Sequence, residues 1–198
     1  YKRPNYDRAW FSQEGLPVPE SLDDLVRPEY SGLLVVENPA TSSPGLAFLL
    51  ATVGTCGEDG FVEFWQALRK NRVLVTDGWE DAYWGKFSAA SKGGRPLVVS
   101  YAASPAAEVY FAEQPPESAP TAAMTGSGTA FRQIEFAGIL KGARQPELAR
   151  RVIDFLLDTP FQQEIPLKMF MFPANKNARL PEVFTEHARL ASRPVILD

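Results

Sequence analysis

The sequence predicts an α/β fold in which helices cover both faces of a mainly parallel sheet. Three short apolar runs, at residues 33–36, 73–76 and 97–100, are typical of strands that are buried on both faces. Each run is followed by a segment with helical signals. Since strand-then-helix units in series imply crossover connections, the strands are expected to run parallel.

Helix-start signals follow the first and the third of these strands. Ser43-Pro44 and Ser104-Pro105 combine a capping residue with a proline at a first helical position. The first of these helices is expected to end near residue 53 at Gly54, and the second to run through residue 111. An amphipathic helix comes next after Gly54, and another helix is expected over 79–90, behind the second strand. The apolar residues that mark the amphipathic helix are Phe61, Phe64, Trp65 and Leu68.

The rest of the chain predicts shorter elements and loops. Ser21 and Asp24 have the spacing of a capping box at a short helix. Residues 114–120 predict a surface loop, residues 131–140 a longer strand, and residues 146–157 a helix. A short helical turn and then coil are expected after Thr159-Pro160. The residues of the 146–157 helix expected to face the core are Leu148, Ala149, Val152, Ile153 and Leu156.

Three segments follow from this reading of the chain. Residues 1–20 are rich in proline, charge and aromatics, and predict a connector or arm. Residues 21–185 predict one Rossmann-like lobe, and residues 186–198 a carboxy-terminal extension.

Composition excludes several classes of function. The 198 residues carry a net charge of −4 without a basic stripe, so the chain has no electrostatic footprint for nucleic acid. The one cysteine, Cys56, and the one histidine, His187, exclude an internal disulfide and argue against a metal site. No nucleophile motif is present, so no catalytic residue and no cofactor are predicted.

Candidate binding residues lie where the predicted strands end. Ser42 and Ser43 stand between a strand and a helix, the position at which open α/β sheets collect ligands. Trp79 and Tyr101 follow the next two strands and would line the same edge. The alternatives stay open: the serines could serve only as helix caps and the aromatics only as packing residues.

A further aromatic candidate, Phe170, lies with Phe172 in an apolar segment without clear periodicity. This segment predicts either a loop that lines a cleft or a strand packed in the core.

Several motifs in register resemble one family. ENPATSSPG at 37–45, TDGWEDAY at 76–83 and SYAASPA at 100–106 resemble the thiamine-binding periplasmic proteins in order and spacing. QPELA at 145–149, with FQQEIP and MFPAN within 161–175, is similar to the same family. The resemblance implies one lobe of a type II periplasmic-binding-protein fold. The resemblance covers about residues 16 to 185 and does not include the amino-terminal lobe of the family. The chain is therefore expected to supply one side of a cleft.

In that family, aromatic side chains flank the rings of thiamine and small polar residues hold its hydroxyethyl or phosphate end. The resemblance implies that Ser42 and Ser43 hold that end, while Trp79, Tyr101 and Phe170 line the ring pocket. The chain departs from the family pattern at two places. Phe170 replaces a tryptophan and Ala107 replaces a tyrosine.

The resemblance further implies a solute-binding component of an ABC importer that is not an enzyme and uses no cofactor. Its partners would be a thiamine-like ligand, the membrane permease and the missing amino-terminal lobe. Its location would be periplasmic or extracellular, and membrane-associated if the parent protein is a lipoprotein. Two alternatives stay open: a lobe of a thiamine-cleaving transferase of the same fold, whose nucleophilic cysteine would lie in the missing lobe, or a solute-binding lobe for another metabolite.

Overall fold

The computed structural model describes residues 1–191 and 193–197. Within them, five strands form a single sheet: β1 Lys2–Asp7, β2 Leu34–Glu37, β3 Leu74–Thr76, β4 Leu97–Tyr101 and β5 Thr121–Ala123. The strand order is β3-β2-β4-β1-β5. β2 is parallel to β3 and β4, while β1 is antiparallel to β4 and β5. Four of the five strands therefore run in one direction, as expected of the mainly parallel sheet that the sequence predicts, and β1 alone runs against them.

Helices surround this sheet, and most lie where the sequence predicts them. Two 3₁₀ turns, Asp23–Val26 and Pro28–Tyr30, precede β2, and a π-helical segment, Asp81–Lys86, follows β3. None of the described helices combines the length and apolar character needed to cross a bilayer. The α-helices are α1 Arg8–Glu14, α2 Ser43–Lys70, α3 Ser104–Phe111, α4 Pro146–Leu157, α5 Thr159–Met169 and α6 Glu182–His187.

The two faces of the sheet bury separate apolar clusters. Successive side chains of a strand point to opposite faces, so Val36 and Val99 pack in one cluster with Phe48 of α2. Val35 and Val98 lie in the other, with Tyr83 of the π-helical segment. The four valines of β2 and β4 are fully buried. These two strands therefore form a rigid centre whose carboxyl ends are held in fixed positions.

β1 was not predicted from the sequence, in which the first twenty residues indicated a connector or arm. The structure places it inside the sheet, where Arg3 pairs with Ser100 and Asn5 pairs with Ala123. Its KRPNYD sequence has no apolar run, and its ladder partners lie more than 90 residues away. Within the first twenty residues, only Tyr1, the turn residue Gly15 and residues 16–20 lie outside β1 and α1, and 16–20 are the part that fits a connector.

The helix after β2 is longer than predicted. It continues through Gly54, and its backbone departs from helical geometry only at Gly57, with φ 78° and ψ 168°. A positive φ of this kind carries little steric cost at glycine. The two predicted helices are thus consecutive parts of α2. The capping box at Ser21 is confirmed, because its hydroxyl accepts from the Asp24 amide and Asp24 accepts from the Ser21 amide.

The helix predicted over 79–90 is shorter than expected and ends at Lys86. Phe87 is extended and forms an isolated bridge with Arg95. Gly93 permits the close approach that follows, because a Cβ there would lie 2.0 Å from the Lys86 carbonyl oxygen. Residues 88–94 therefore form a tight loop rather than a last helical turn.

The strand predicted at 131–140 is wrong apart from isolated bridges from Phe131 to Lys2 and Val195. Residues 132–140 have no regular secondary structure and are exposed, because no described strand lies beside them. The helix at 146–157 is confirmed as α4, yet none of its residues is buried. The prediction that its apolar face packs in the core is wrong within this chain, since Leu148 and Val152 are 53% and 50% exposed.

The chain after α4 is more ordered than predicted. α5 has 11 residues, with Pro166 inside it, where a short turn was expected. Gln162 explains the added order, because its amide donates to the Leu156 carbonyl while its oxygen accepts from the amides of Ala174 and Asn175. The division at residues 185/186 stays a prediction.

Candidate functional site

The carboxyl ends of β2, β3 and β4 meet at one edge of the sheet, which we call the carboxyl edge. β1 runs the other way, so its first residues, Lys2 and Arg3, lie at the same edge. The loops that follow β2 and β3 are tied together, because the Thr41 hydroxyl donates to the Asp77 carbonyl over 2.6 Å. The edge is therefore a connected surface built from four strands.

Ser42 and Ser43 form the start of α2 at this edge. The Ser42 backbone is extended and its carbonyl accepts from the Leu46 amide, which is the geometry of an N-cap residue. However, its hydroxyl makes no cap hydrogen bond, and it is buried without a partner among the described residues. Gly45 holds the helix close to β2, since a Cβ there would lie 2.3 Å from the Glu37 carbonyl oxygen. The predicted capping role of the Ser42 side chain is thus not observed.

Trp79 and Tyr101 meet beside these serines. Their ring centroids are 5.8 Å apart, and Trp79 also stacks on Tyr83 at 4.8 Å. The Trp79 indole N–H donates to the Ser100 hydroxyl over 2.8 Å, which fixes the orientation of the ring. Both aromatic side chains remain partly exposed. Together, Trp79 and Tyr101 form an aromatic surface on which a flat ring can stack. We call this surface the aromatic wall.

Lys2 is the residue of this edge that sequence reasoning missed. Its ammonium group donates to the Ser43 hydroxyl over 2.7 Å and to the side-chain oxygen of Gln133. It also lies 5.5 Å from the centre of the Tyr101 ring. Lys2 was missed because β1 was missed. A strand of polar residues has no apolar pattern from which its place in the sheet could be predicted.

Burial controls the charges at the edge. Desolvation raises the pKa of Glu37 to about 8, against a smaller opposing effect of the Lys2 charge. Desolvation also lowers the pKa of Lys2, partly offset by Glu135 and Glu37. The pKa of the Arg3 guanidinium falls to about 10 for the same main reason, and it has no hydrogen-bond partner among the described residues. At neutral pH the buried groups of the edge are therefore either cationic, as in Lys2 and Arg3, or mostly neutral, as in Glu37, and none is a full anion.

The ring contacts of Phe170 within the described part of the chain involve none of the four other predicted site residues. Its ring contacts Tyr110, Phe111 and Phe184, with centroids 5.1 to 6.0 Å apart. Phe172 is closer to the edge, because its ring meets that of Tyr1 at 6.1 Å. The structure thus brings together Ser42, Ser43, Trp79 and Tyr101 and adds Lys2, while a ligand role for Phe170 stays a prediction.

The pKa of the Cys56 thiol is raised, mainly by burial and then by the Asp23 charge, which disfavours the reactive thiolate. The Gly126 carbonyl accepts from the Thr129 hydroxyl in a simple turn. Among the residues that the structure describes, no three His, Cys, Asp or Glu side chains are grouped so that they could hold a metal ion.

Comparison with known proteins shows which family the chain resembles in sequence. The family model for bacterial extracellular solute-binding proteins matches residues 4–191. The chain is 35% identical to the thiamine-binding periplasmic protein of Escherichia coli, over 88% of this chain and 50% of the relative. It is 36% identical to the Brucella suis protein of the same description, over 90% of this chain and 53% of the relative. The chain therefore spans about half the length of the curated relatives it matches.

Solved structures agree with this assignment. A periplasmic thiamin binding protein superimposes with a TM-score of 0.75 at 32% identity, covering 96% of this chain and 55% of the other. Iron-bound HitA from Pseudomonas aeruginosa has a TM-score of 0.68 at 18% identity, and at that distance the likeness concerns the fold alone. The predicted lobe of a periplasmic-binding-protein fold is confirmed. Since the family model matches nearly the whole chain, this protein belongs to the bacterial extracellular solute-binding proteins.

Proposed function

We propose that this chain forms one side of a cleft that binds thiamine, a thiamine phosphate or a close analogue for an ABC importer. The observation that carries the proposal is the gathering of Ser42, Ser43, Trp79 and Tyr101 at the carboxyl edge. Relatives at 35% and 36% identity are thiamine-binding periplasmic proteins by description. Stacking on the aromatic wall suits a flat ring, and the start of α2 suits a hydroxyl or phosphate group.

The proposed role is capture and not chemistry. The relatives are described as binding proteins, and the pKa of the Cys56 thiol is raised by burial. The protein would work in the periplasm or outside the cell and deliver its ligand to a membrane permease. Closure of two lobes around the ligand is the expected motion, because one edge of one sheet covers a ligand from one side only.

The second side of the cleft would come from an amino-terminal lobe, which corresponds to the half of the relatives that this chain does not span. The surface that supports this partner is the α4 apolar face, defined as Leu148, Ala149, Val152, Ile153 and Leu156. Together with Ala137, Gly138 and Ile139, it lines an open groove. A contiguous apolar surface of this kind marks an interaction site. The groove is thus assigned to the amino-terminal lobe.

Calorimetric titration tests the proposed function. The chain, joined to the remainder of its reading frame, would be titrated with thiamine, thiamine monophosphate and an unrelated cation such as choline. Saturable binding of the thiamine compounds with unchanged ligand recovered afterwards supports capture. Binding of choline alone would contradict the thiamine assignment, and cleaved ligand would contradict the binding role.

A further inference from the structure

Lys2 gives the carboxyl edge a fixed positive charge next to its aromatic wall. In register it pairs with Tyr101, and paired residues of an antiparallel ladder place their side chains on the same face. Only 7% of Lys2 is exposed, and its ammonium group is held by the hydroxyl of Ser43 at 2.7 Å. The charge therefore lies in the middle of the residues assigned to the ligand.

The acidic groups near Lys2 leave this charge largely uncompensated. Glu37 is fully buried, and its pKa of about 8 means that it is mostly protonated at neutral pH. Glu135 is exposed to solvent, where water and salt screen its attraction. The first turn of the 28-residue helix α2 adds the partial positive charge of a helix amino terminus.

An unused hydrogen-bonding group belongs to Ser42, the residue that precedes Ser43. Ser42 is only 9% exposed, and its hydroxyl has no hydrogen-bond partner among the described residues. A buried polar group without a partner is costly in a folded protein, and a bound ligand commonly supplies the missing partner. An anion there would accept from Ser42, from Ser43 and from the Lys2 ammonium.

Charge then decides between the two forms of the ligand. The thiazolium ring of thiamine is a permanent cation, and a like charge a few ångströms away disfavours it. A phosphate ester adds an anionic group that complements Lys2. Building on the proposed function, we propose that Lys2 is a specificity-determining residue that makes this site select phosphomonoesters of the thiamine type over free thiamine.

The test compares two ligands on matched variants of the chain, joined to the remainder of its reading frame. Affinities for thiamine and thiamine monophosphate would be measured for the wild type, Lys2→Met, Lys2→Arg and Lys92→Met. Lys92 is an exposed control in the loop before β4, at the opposite edge of the sheet. Thermal unfolding of each variant would show that it is folded.

We expect the wild type to bind the phosphate ester at least tenfold more tightly than thiamine. Lys2→Met should bring that ratio close to one, chiefly by weakening the ester, while Lys2→Arg and Lys92→Met keep it. A wild-type ratio at or below one would overturn the inference. So would a Lys2→Met variant that keeps the ratio or loses both ligands equally, since the latter shows a structural role only.

Glycerol 3-phosphate and inorganic phosphate separate this inference from the proposed function. If the wild type binds neither thiamine compound, the thiamine assignment fails. Binding of these two anions that depends on Lys2 would then keep its role in anion selection for another phosphomonoester. Absence of that binding as well would overturn both proposals.

Discussion

The carboxyl edge and the α4 apolar face are both rich in large side chains, but this chain completes only one of them. At the edge, Trp79 is held by Ser100 and stacks on Tyr83, and Lys2 is held by Ser43. On α4, no residue is buried, and Leu148 and Val152 are about half exposed. The difference indicates that the proposed ligand wall is held in place within the chain, whereas the α4 apolar face has no packing partner among the described residues.

The contrast has a thermodynamic meaning. Side chains fixed by hydrogen bonds and stacking lose little freedom when a ligand arrives, so binding does not have to order them. An exposed apolar face gains stability only when another surface removes it from water, at about 25 cal/mol per Å². We therefore expect changes at the edge to alter ligand affinity and changes on the α4 apolar face to alter the stability of the assembled protein.

The largest effect is expected from Val152→Asp. If the amino-terminal lobe covers α4, a buried carboxylate there should lower the unfolding free energy of the two-lobed protein by about 3 kcal/mol or more. The 198-residue chain alone should change by less than about 1 kcal/mol. Denaturant unfolding of both proteins measures this. Arg151→Asp, on the polar side of the same helix, is the matched control. Equal losses of stability from Val152→Asp in the two-lobed protein and in the 198-residue chain would contradict the assignment of the α4 apolar face to the amino-terminal lobe.

A pH effect of about 3 kcal/mol between pH 5 and 8 is expected from Glu37, because each unit of pKa difference is worth about 1.4 kcal/mol. Its pKa is about 8 in the folded protein and near 4.5, the ordinary value of a glutamate, when unfolded, so the folded state binds more protons between these values. Stability should therefore fall as the pH rises from about 5 to 8 and level off above it. Urea unfolding at several pH values measures the slope, and Glu37→Gln should flatten it. An unchanged slope in that variant would show that Glu37 ionises normally.

At the aromatic wall, Trp79→Ala should weaken ligand affinity by about 10-fold to 30-fold, because it removes both the stacking surface and the neighbour of Tyr101. Trp79→Phe keeps a ring but loses the hydrogen bond to Ser100, and we expect a smaller loss. Fluorescence or calorimetric titration gives both values. If the alanine variant bound the ligand as tightly as the wild type, the aromatic wall would not be part of the binding site.

The smallest effect, of about 1 kcal/mol, separates the two interpretations of Ser42. As a helix cap, its replacement by alanine would destabilise the protein by about that amount. Because its hydroxyl makes no cap bond, we expect Ser42→Ala to leave stability unchanged and to weaken ligand affinity about fivefold. Thermal unfolding and titration of the same sample decide which property changes.

Apolar runs and helix-start signals were sufficient to predict the centre of the fold. Strands β2, β3 and β4 follow from buried runs, and Ser43-Pro44 and Ser104-Pro105 mark the starts of α2 and α3. β1 was missed because a strand of polar residues is set by long-range pairing with β4 and has no local pattern. The strand at 131–140 was wrongly predicted for the opposite reason, since its apolar residues have strand character but no described strand lies beside residues 132–140.

The site was predicted in part for the same reason. Ser42, Trp79 and Tyr101 follow predicted parallel strands, so topology alone brings them to one edge. Lys2 depends on β1 and was missed with it. Phe170 was chosen through a family resemblance, and its position over α3 and α6 depends on packing that local sequence does not encode.

Nuclear magnetic resonance titration tests the central claim most directly, that ligand binds at the carboxyl edge. In the two-lobed protein labelled with ¹⁵N, thiamine monophosphate should shift the Trp79 indole signal and the amides that begin α2 along one saturable curve. The amides of α4 should stay unmoved. Saturable binding accompanied by shifts that bypass Trp79 and the start of α2 would contradict the account and place the ligand elsewhere.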